Sequence, residues 1–238
     1  MSVVQLTSSS TATNFFMKIV NLAKLLLIGA SLTAGSAFAI PNTLTVTRNG
    51  FDGIPDAKGG EFVVTTSNNG TFLSFCLERH ITVNPDGTTV YAYTATDSIA
   101  LAGGQDLTDA GVGDPVSKGT AWLYKRFVQG TLVDSDGVGN YNDRRDLNAG
   151  ELQNAIWALE DEVDYVGFTN YYVDLVQGIF SGGARAASTD SNVFALNLWG
   201  LTDRKDVQSM LYSVPDGAMT SVLLGLGLMS LALFRRKQ

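Results

Sequence analysis

Chemistry in this chain of 238 residues has few reactive side chains to use, because it holds one cysteine, Cys76, and one histidine, His80. The thiol sits in an apolar, strand-like string, Phe75-Cys76-Leu77-Glu78, and the imidazole follows four residues later. On an extended strand the two side chains project from the same face, which raises a Cys–His hydrolase dyad. The spacing argues against it, since four residues of flat strand span roughly 13 Å, beyond hydrogen-bond reach without a bend. His80 therefore reads as a surface histidine, with a helper role in acyl transfer as the other option. The stretch Asp134-Ser-Asp-Gly-Val-Gly-Asn-Tyr-Asn-Asp143 alternates oxygen ligands with glycine and invites a calcium reading. It departs from the EF-hand template, because the fifth position is Val138 and the twelfth is Arg145 instead of a bidentate glutamate. It reads as a solvated loop, and Glu160-Asp161-Glu162 reads most simply as the polar end of a helix, with a turn or a partner surface as the alternative because such charges are mildly unfavourable at a helix C-terminus. Carboxylates are plentiful, but nothing in the sequence pairs them for glycoside chemistry. No metal and no cofactor is expected.

The elements that must position these groups are mainly β. Short β-branched and aromatic runs stand between Gly, Asn and Asp clusters: 44–47, 61–65, 71–77 and 88–94, then 192–199 and 207–214. Asn49-Gly50, Asn69-Gly70 and Asp86-Gly87 offer the positive-φ residues that hairpins need. Between the two groups of strands the hydrophobic period changes. Ser117 to Gln129 places Trp122, Leu123, Phe127 and Val128 at helical spacing, and Asn148 to Glu162 does so with Leu152, Ile156 and Leu159. Asn148 with Glu151 three residues on is an N-cap signature for the second helix. The expected fold is α+β: a mainly β framework, barrel- or sandwich-like, with an inserted helical part.

Both ends carry targeting patterns. Lys18 and Lys24 precede or flank the apolar Leu25–Leu32, which leads to the small-x-small site Ala37-Phe38-Ala39. Residues 1–39 are thus expected to be a leader and secretory signal, with the true start at Met17 and the mature chain beginning at Ile40; a signal anchor that is never cut is the alternative. At the other end Val214-Pro215-Asp216-Gly217 is a breaker cluster, Ala218 to Phe234 is an uncharged run of membrane-entering length, and Arg235, Arg236 and Lys237 form a basic stop. With Thr220 and Leu223-Leu224-Gly225, this segment resembles the PEP-CTERM family of exosortase sorting signals in its VPDSG variety. Ala218 departs from that motif. The resemblance implies an exopolysaccharide-producing bacterium, a membrane enzyme of exosortase type as processing partner, and an exported body held briefly by a C-terminal membrane helix; a plain tail anchor is the alternative. Residues 40–213 then form one extracellular domain with a real core. Of 16 Lys and Arg, five lie in the terminal segments, and of 23 Asp and Glu one does, leaving 11 against 22 and a net charge of −11. Nucleic acid is an improbable partner for such a surface.

A single thiol in an exported protein needs an explanation other than a disulfide. Seventy-seven residues after Cys76 stands Leu152-Gln153-Asn154-Ala155-Ile156-Trp157. Together with Phe75-Cys76-Leu77-Glu78, this string resembles the bacterial surface thioester domain family. The resemblance implies that Cys76 condenses with Gln153, losing ammonia, to give an internal thioester. Phe75, Leu77, Ile156 and Trp157 would wall it from water, and His80 would be a possible helper. A lysine-bearing protein or a polysaccharide outside the cell would be the acceptor. Leu152 stands where many family members have Thr or Ser. The function expected is an adhesin-like attachment module at the cell surface or in the matrix, not a turnover enzyme. The other class is a non-catalytic structural component of the exopolysaccharide matrix.

Overall fold

The computed structural model describes residues 42–51, 59–68, 70–95, 99–101, 113–164, 167, 169–190, 192–203 and 205–214, all within the unit Pro41–Gln238. The leader, the signal segment and the sorting segment from Pro215 onward lie outside the described residues. Among the described residues no helix is long and apolar enough to cross a membrane.

Six strands form one antiparallel sheet: β1 (Thr43–Arg48), β2 (Phe62–Thr66), β3 (Gly70–Ser74), β4 (Asp86–Thr94), β7 (Val193–Gly200) and β8 (Asp206–Ser213), in the order β3-β2-β1-β4-β7-β8. Two-residue strands β5 (Ile99–Ala100) and β6 (Asp114–Pro115) pair separately. The sheet curls until its two edges meet. Just past β3, the Phe75 carbonyl accepts from Leu211 N–H (3.0 Å) and Leu77 N–H donates to the Ser209 carbonyl (2.9 Å), with Cys76 opposite Met210 between them. Ser74 Oγ donates to the Leu211 carbonyl at 2.6 Å, and the Tyr124 hydroxyl lies within reach of the Leu73 and Leu211 carbonyls. Closure satisfies edge groups that an open sheet leaves exposed, and makes the framework barrel-like.

Alternation along each strand sorts two cores. Leu44, Val46, Phe62, Val64, Tyr91, Tyr93, Leu196, Leu198 and Met210 fill the inside of the curl. The opposite face, with Phe75, Leu77, Ala195 and Leu211, packs against the helices. Two expected turns behave differently. Gly70, at positive φ, opens β3 after the tight β2–β3 connection. Asp86-Gly87 is not a hairpin turn: it begins β4 opposite Thr47, where the β1–β4 register slips between Thr45 and Thr47. Gly87 has φ +74°, and a Cβ there would stand 2.8 Å from Thr47 Oγ1, so the bulge needs glycine.

The helical layer consists of α1 (Lys118–Val128), α2 (Arg145–Leu159) and α3 (Tyr171–Ile179). Ser117 caps α1 by accepting from Thr120 N–H at 3.2 Å. Helix α2 begins three residues before the expected Asn148, because a 3-10 turn, Tyr141–Arg144, with its own Asn140/Asp143 capping box feeds straight into it. Asn148 is buried inside the helix: it donates to the Tyr141 carbonyl (2.8 Å) and accepts from Ser135 N–H (3.0 Å). Helix α3 was not expected. Asn170 caps it by accepting from Tyr172 and Val173 N–H, and ties it to α2 by donating to the Glu151 carbonyl and carboxylate.

Candidate functional site

Cys76 sits at the seam where the sheet closes. Its pairing with Met210 leaves its own N–H and C=O facing away from β8, toward the position that β2 would occupy if it continued past Phe62. The chain before Phe62 does not fill that position. The side chain of Gln153, from the middle of α2, does: Cys76 N–H donates to Gln153 Oε1 (3.0 Å), and Gln153 Nε2 donates to the Cys76 carbonyl (2.8 Å). The carboxamide thus acts as one more rung of the sheet. Both residues are buried, at 2 % and 1 % exposure. Gly59 makes room, since a Cβ there would stand 2.5 Å from Gln153 Cγ and 2.7 Å from the Trp157 ring.

The residues expected around the thiol divide between the two cores. Phe75, Leu77 and Ile156 are fully buried on the helix side, whereas Trp157 crosses into the inner core beside Cys76, Phe62 and Met210. Phe62, also beside the thiol, was missed by the sequence reading. Burial first, and then the charge of Glu78, push the Cys76 thiol up, while Arg48 draws it down. The net effect is a thiol that holds its proton. His80 is exposed among bends that follow Leu77, so the straight strand assumed for a dyad ends at the cysteine.

No protein family, curated protein or solved structure matches this chain. The site therefore rests on its own geometry. Three acids to which the sequence reading gave no separate role are buried. Glu78, at 2 % exposure, accepts from Ser209 N–H (2.5 Å) and from Gln208 Nε2, and burial raises it to about 7. Glu162, just past α2, accepts from Arg79 N–H (2.9 Å) and is raised to about 7 by desolvation. Glu160 accepts from Ser117 N–H at 3.1 Å, and burial lifts it to about 7 as well. The acidic triplet is thus not a solvated helix end: Asp161, at φ +65°, turns the chain so that its two neighbours point inward. This is the turn that the triplet's place at a helix C-terminus suggested, where exposed carboxylates gain nothing from the dipole.

A cavity of about 210 Å³ opens on Cys76, with Arg48, Phe62, Arg79, Thr82, Trp157 and Gln208 among its lining. Larger clefts, such as one of about 620 Å³ beside Trp122 and Asp190, lie away from the cysteine. In the 134–143 loop, Asp134 is buried and gripped through both oxygens by Arg144, which holds its carboxyl well below the usual range. Among the described residues no group of three or more His, Cys, Asp or Glu side chains is arranged to hold a metal ion.

Proposed function

We propose that this is an exported attachment module that stores an acyl electrophile as an internal thioester between Cys76 and Gln153. The observation that carries the reading is the reciprocal pairing of the Gln153 carboxamide with the Cys76 main chain, both residues being buried. That pairing holds the amide carbonyl beside the residue whose sulfur must attack it. It also aims Cys76 N–H at the carbonyl oxygen, where negative charge develops in the tetrahedral intermediate. Sulfur attacks Cδ of Gln153, the C–N bond breaks, and the thiol proton leaves with nitrogen as ammonia. The thioester so formed is shielded on the helix side by Phe75, Leu77 and Ile156 and on the sulfur side by Trp157 and Phe62. Exclusion of water protects it from hydrolysis. An external nucleophile then takes the acyl group from sulfur in a single-use reaction. The terminal segments suit this role: a secretory signal for export, and a sorting segment that an exosortase-type enzyme processes at the membrane, leaving the domain at the cell surface or in the exopolysaccharide matrix.

The test is the mass of the full chain purified without amines. The thioester predicts a deficit of about 17 Da, one ammonia, relative to the mass calculated for its observed termini. The deficit disappears in Cys76→Ala, and methylamine replaces it with an adduct mapped to Gln153. A full calculated mass with an alkylatable Cys76, in protein taken from the native cell surface, would sink the reading and leave a matrix component that acts without covalent chemistry.

A further inference from the structure

Cys76 and Gln153, at 2 % and 1 % exposure, are too deeply set for an acceptor on another molecule to touch. The cavity of about 210 Å³ beside the sulfur has a floor of buried side chains, Phe62, Trp157 and Gln208, and a roof drawn from residues 79–85, which are half-buried or exposed. This stretch belongs to no helix or strand, and its two ends are fixed. Before it, Leu77 N–H donates to the Ser209 carbonyl and the Glu78 carboxylate accepts from Ser209 N–H. After it, Asn84 N–H donates to the Tyr91 hydroxyl (2.8 Å) and Asn84 Nδ2 to the Asp86 carboxylate (2.9 Å). Between these anchors His80, Ile81, Thr82 and Val83 make no hydrogen bond among the described residues. What ties the span to the helical side is Arg79 N–H, which donates to Glu162 Oε2 at 2.9 Å. Burial lifts the Glu162 carboxyl, and the Arg79 N–H and guanidinium both pull it back. Val83 adds an apolar contact with the inner core.

We infer that Arg79–Val83 is a lid over the acyl sulfur, latched by Glu162, and that a lysine carried on a partner chain reaches the Gln153-derived carbonyl only when that latch opens. Control of acyl transfer rests on the thioester reading; control of access to Cys76 does not. A short span with few hydrogen bonds opens locally at small cost, while the ladders on either side stay closed. The latch joins the two segments that carry the reacting residues, because the lid follows Cys76 in the chain and Glu162 follows the helix that holds Gln153. Glu162 is not among the residues lining the cavity, so it is a positioning residue. At about 210 Å³, the closed space falls below the roughly 300 Å³ at which drug-sized sites begin. It has room for methylamine but not for a lysine side chain with its flanking peptide. In the transfer the amine nitrogen bonds to the acyl carbon, the C–S bond breaks, and an amine proton passes to the Cys76 sulfur, giving an amide and a thiol. Burial favours that protonated sulfur. Until a partner lifts it, the same lid keeps bulk water from the stored bond.

Methylamine and the blocked peptide Gly-Gly-Lys-Gly-Gly share a primary amine and differ in bulk, so together they isolate the lid. Glu162→Leu deletes the latch. On the full chain, intact mass should show the peptide adduct at Gln153 forming about tenfold faster than in wild type, the scale of one charge-assisted hydrogen bond, while the methylamine rate changes less than about threefold. Glu162→Gln, which keeps an acceptor oxygen, should restore most of the restraint. Val83→Gly loosens the lid at its apolar contact and should speed the peptide in the same direction, which keeps the test open if Glu162→Leu does not fold. An unchanged peptide rate, or peptide and methylamine accelerated alike, would overturn the inference. A second arm needs no thioester: N-ethylmaleimide is given to free Cys76, in chains first opened with methylamine or used as purified if they show no ammonia deficit. Alkylation should rise about tenfold in Glu162→Leu, and no rise overturns the lid. A rise in a protein whose wild type shows no deficit keeps the lid and removes the acyl step, so the two failures are distinct.

Discussion

Helix α2 reaches the sheet twice, about two turns apart, and the two contacts are built from opposite materials. At its first residue Arg145 forks onto Glu61, whose side chain is fully buried and also takes the Tyr141 hydroxyl (2.7 Å) and Asn49 Nδ2 (2.8 Å). In its middle Gln153 meets Cys76 with a neutral amide on neutral main chain. The charged contact cannot be loosened without stranding a carboxylate in the core. The neutral one can exchange its amide nitrogen for sulfur and leave no charge behind. On the thioester proposal, stability and chemistry would fall to different turns of one helix, the ionic contact at its start holding it in place while the amide in its middle reacts.

The largest effect should come from the ionic end. Arg145→Leu leaves the buried Glu61 without its cationic partner, held only by the Tyr141 and Asn49 donors, and should cost about 3 kcal/mol in urea unfolding, the lower end for a buried pair because the arginine is partly exposed; a loss under about 1 kcal/mol would mean the fork is not what anchors α2. Gln153→Leu strands the Cys76 N–H and C=O, at a cost of about 2 kcal/mol. That variant should also lose all methylamine reactivity, whereas folded Arg145→Leu keeps it, and a reactive Gln153→Leu would erase the contrast. Next comes pH. Glu78, Glu160 and Glu162 rise in the folded protein from 4.5 to about 7. The folded state therefore holds protons that the unfolded state has released, and their contribution is full below pH 4.5 and lost as pH rises to about 7. The melting temperature should fall by a few degrees across that window, and Glu160→Gln should flatten the fall. Asp134 works the other way, its stabilisation by Arg144 being lost as pH falls below the ordinary aspartate range. The smallest change is Ser117→Ala, which removes the α1 cap for about 1 kcal/mol and is read in the same denaturation series; no loss would show that Glu160, bonded to Ser117 N–H, holds that helix start by itself.

Much of this was legible before the structure. The strands announce themselves through runs rich in β-branched residues whose alternate apolar members are buried, as Leu44 and Val46 are in β1. Helix α1 was legible from Ser117 and its apolar spacing. Helix α3 was not, because Tyr171-Tyr172-Val173 are residues that sheets favour and only Asn170 signals a cap. Closure of the sheet was equally hidden, since it joins Phe75–Leu77 to Ser209–Leu211 across most of the chain. The nearness of Cys76 to Gln153 came from a resemblance between two short strings, and no spacing rule would have produced it. Of the two readings of the acidic triplet, the polar helix end fails for Glu160 and Glu162, which are buried, and the turn holds, with the positive φ at Asp161 directing its neighbours inward.

The place of the seam has a mechanical meaning. Strand β8 runs directly to Val214, whose N–H is held by the Asn192 carbonyl, and the segment beyond leads to the C-terminus. Tension applied there travels along β8, into its ladder with β7 on one side and its rungs to Phe75 and Leu77 on the other. A pull along the strand loads these rungs in shear, so several must yield together. Cys76 lies opposite Met210 in that loaded register, and a bond from its sulfur to α2 would carry force from β8 into the helix. The domain would then behave less like a bead on a string than like a clasp whose catch lies on the line of pull.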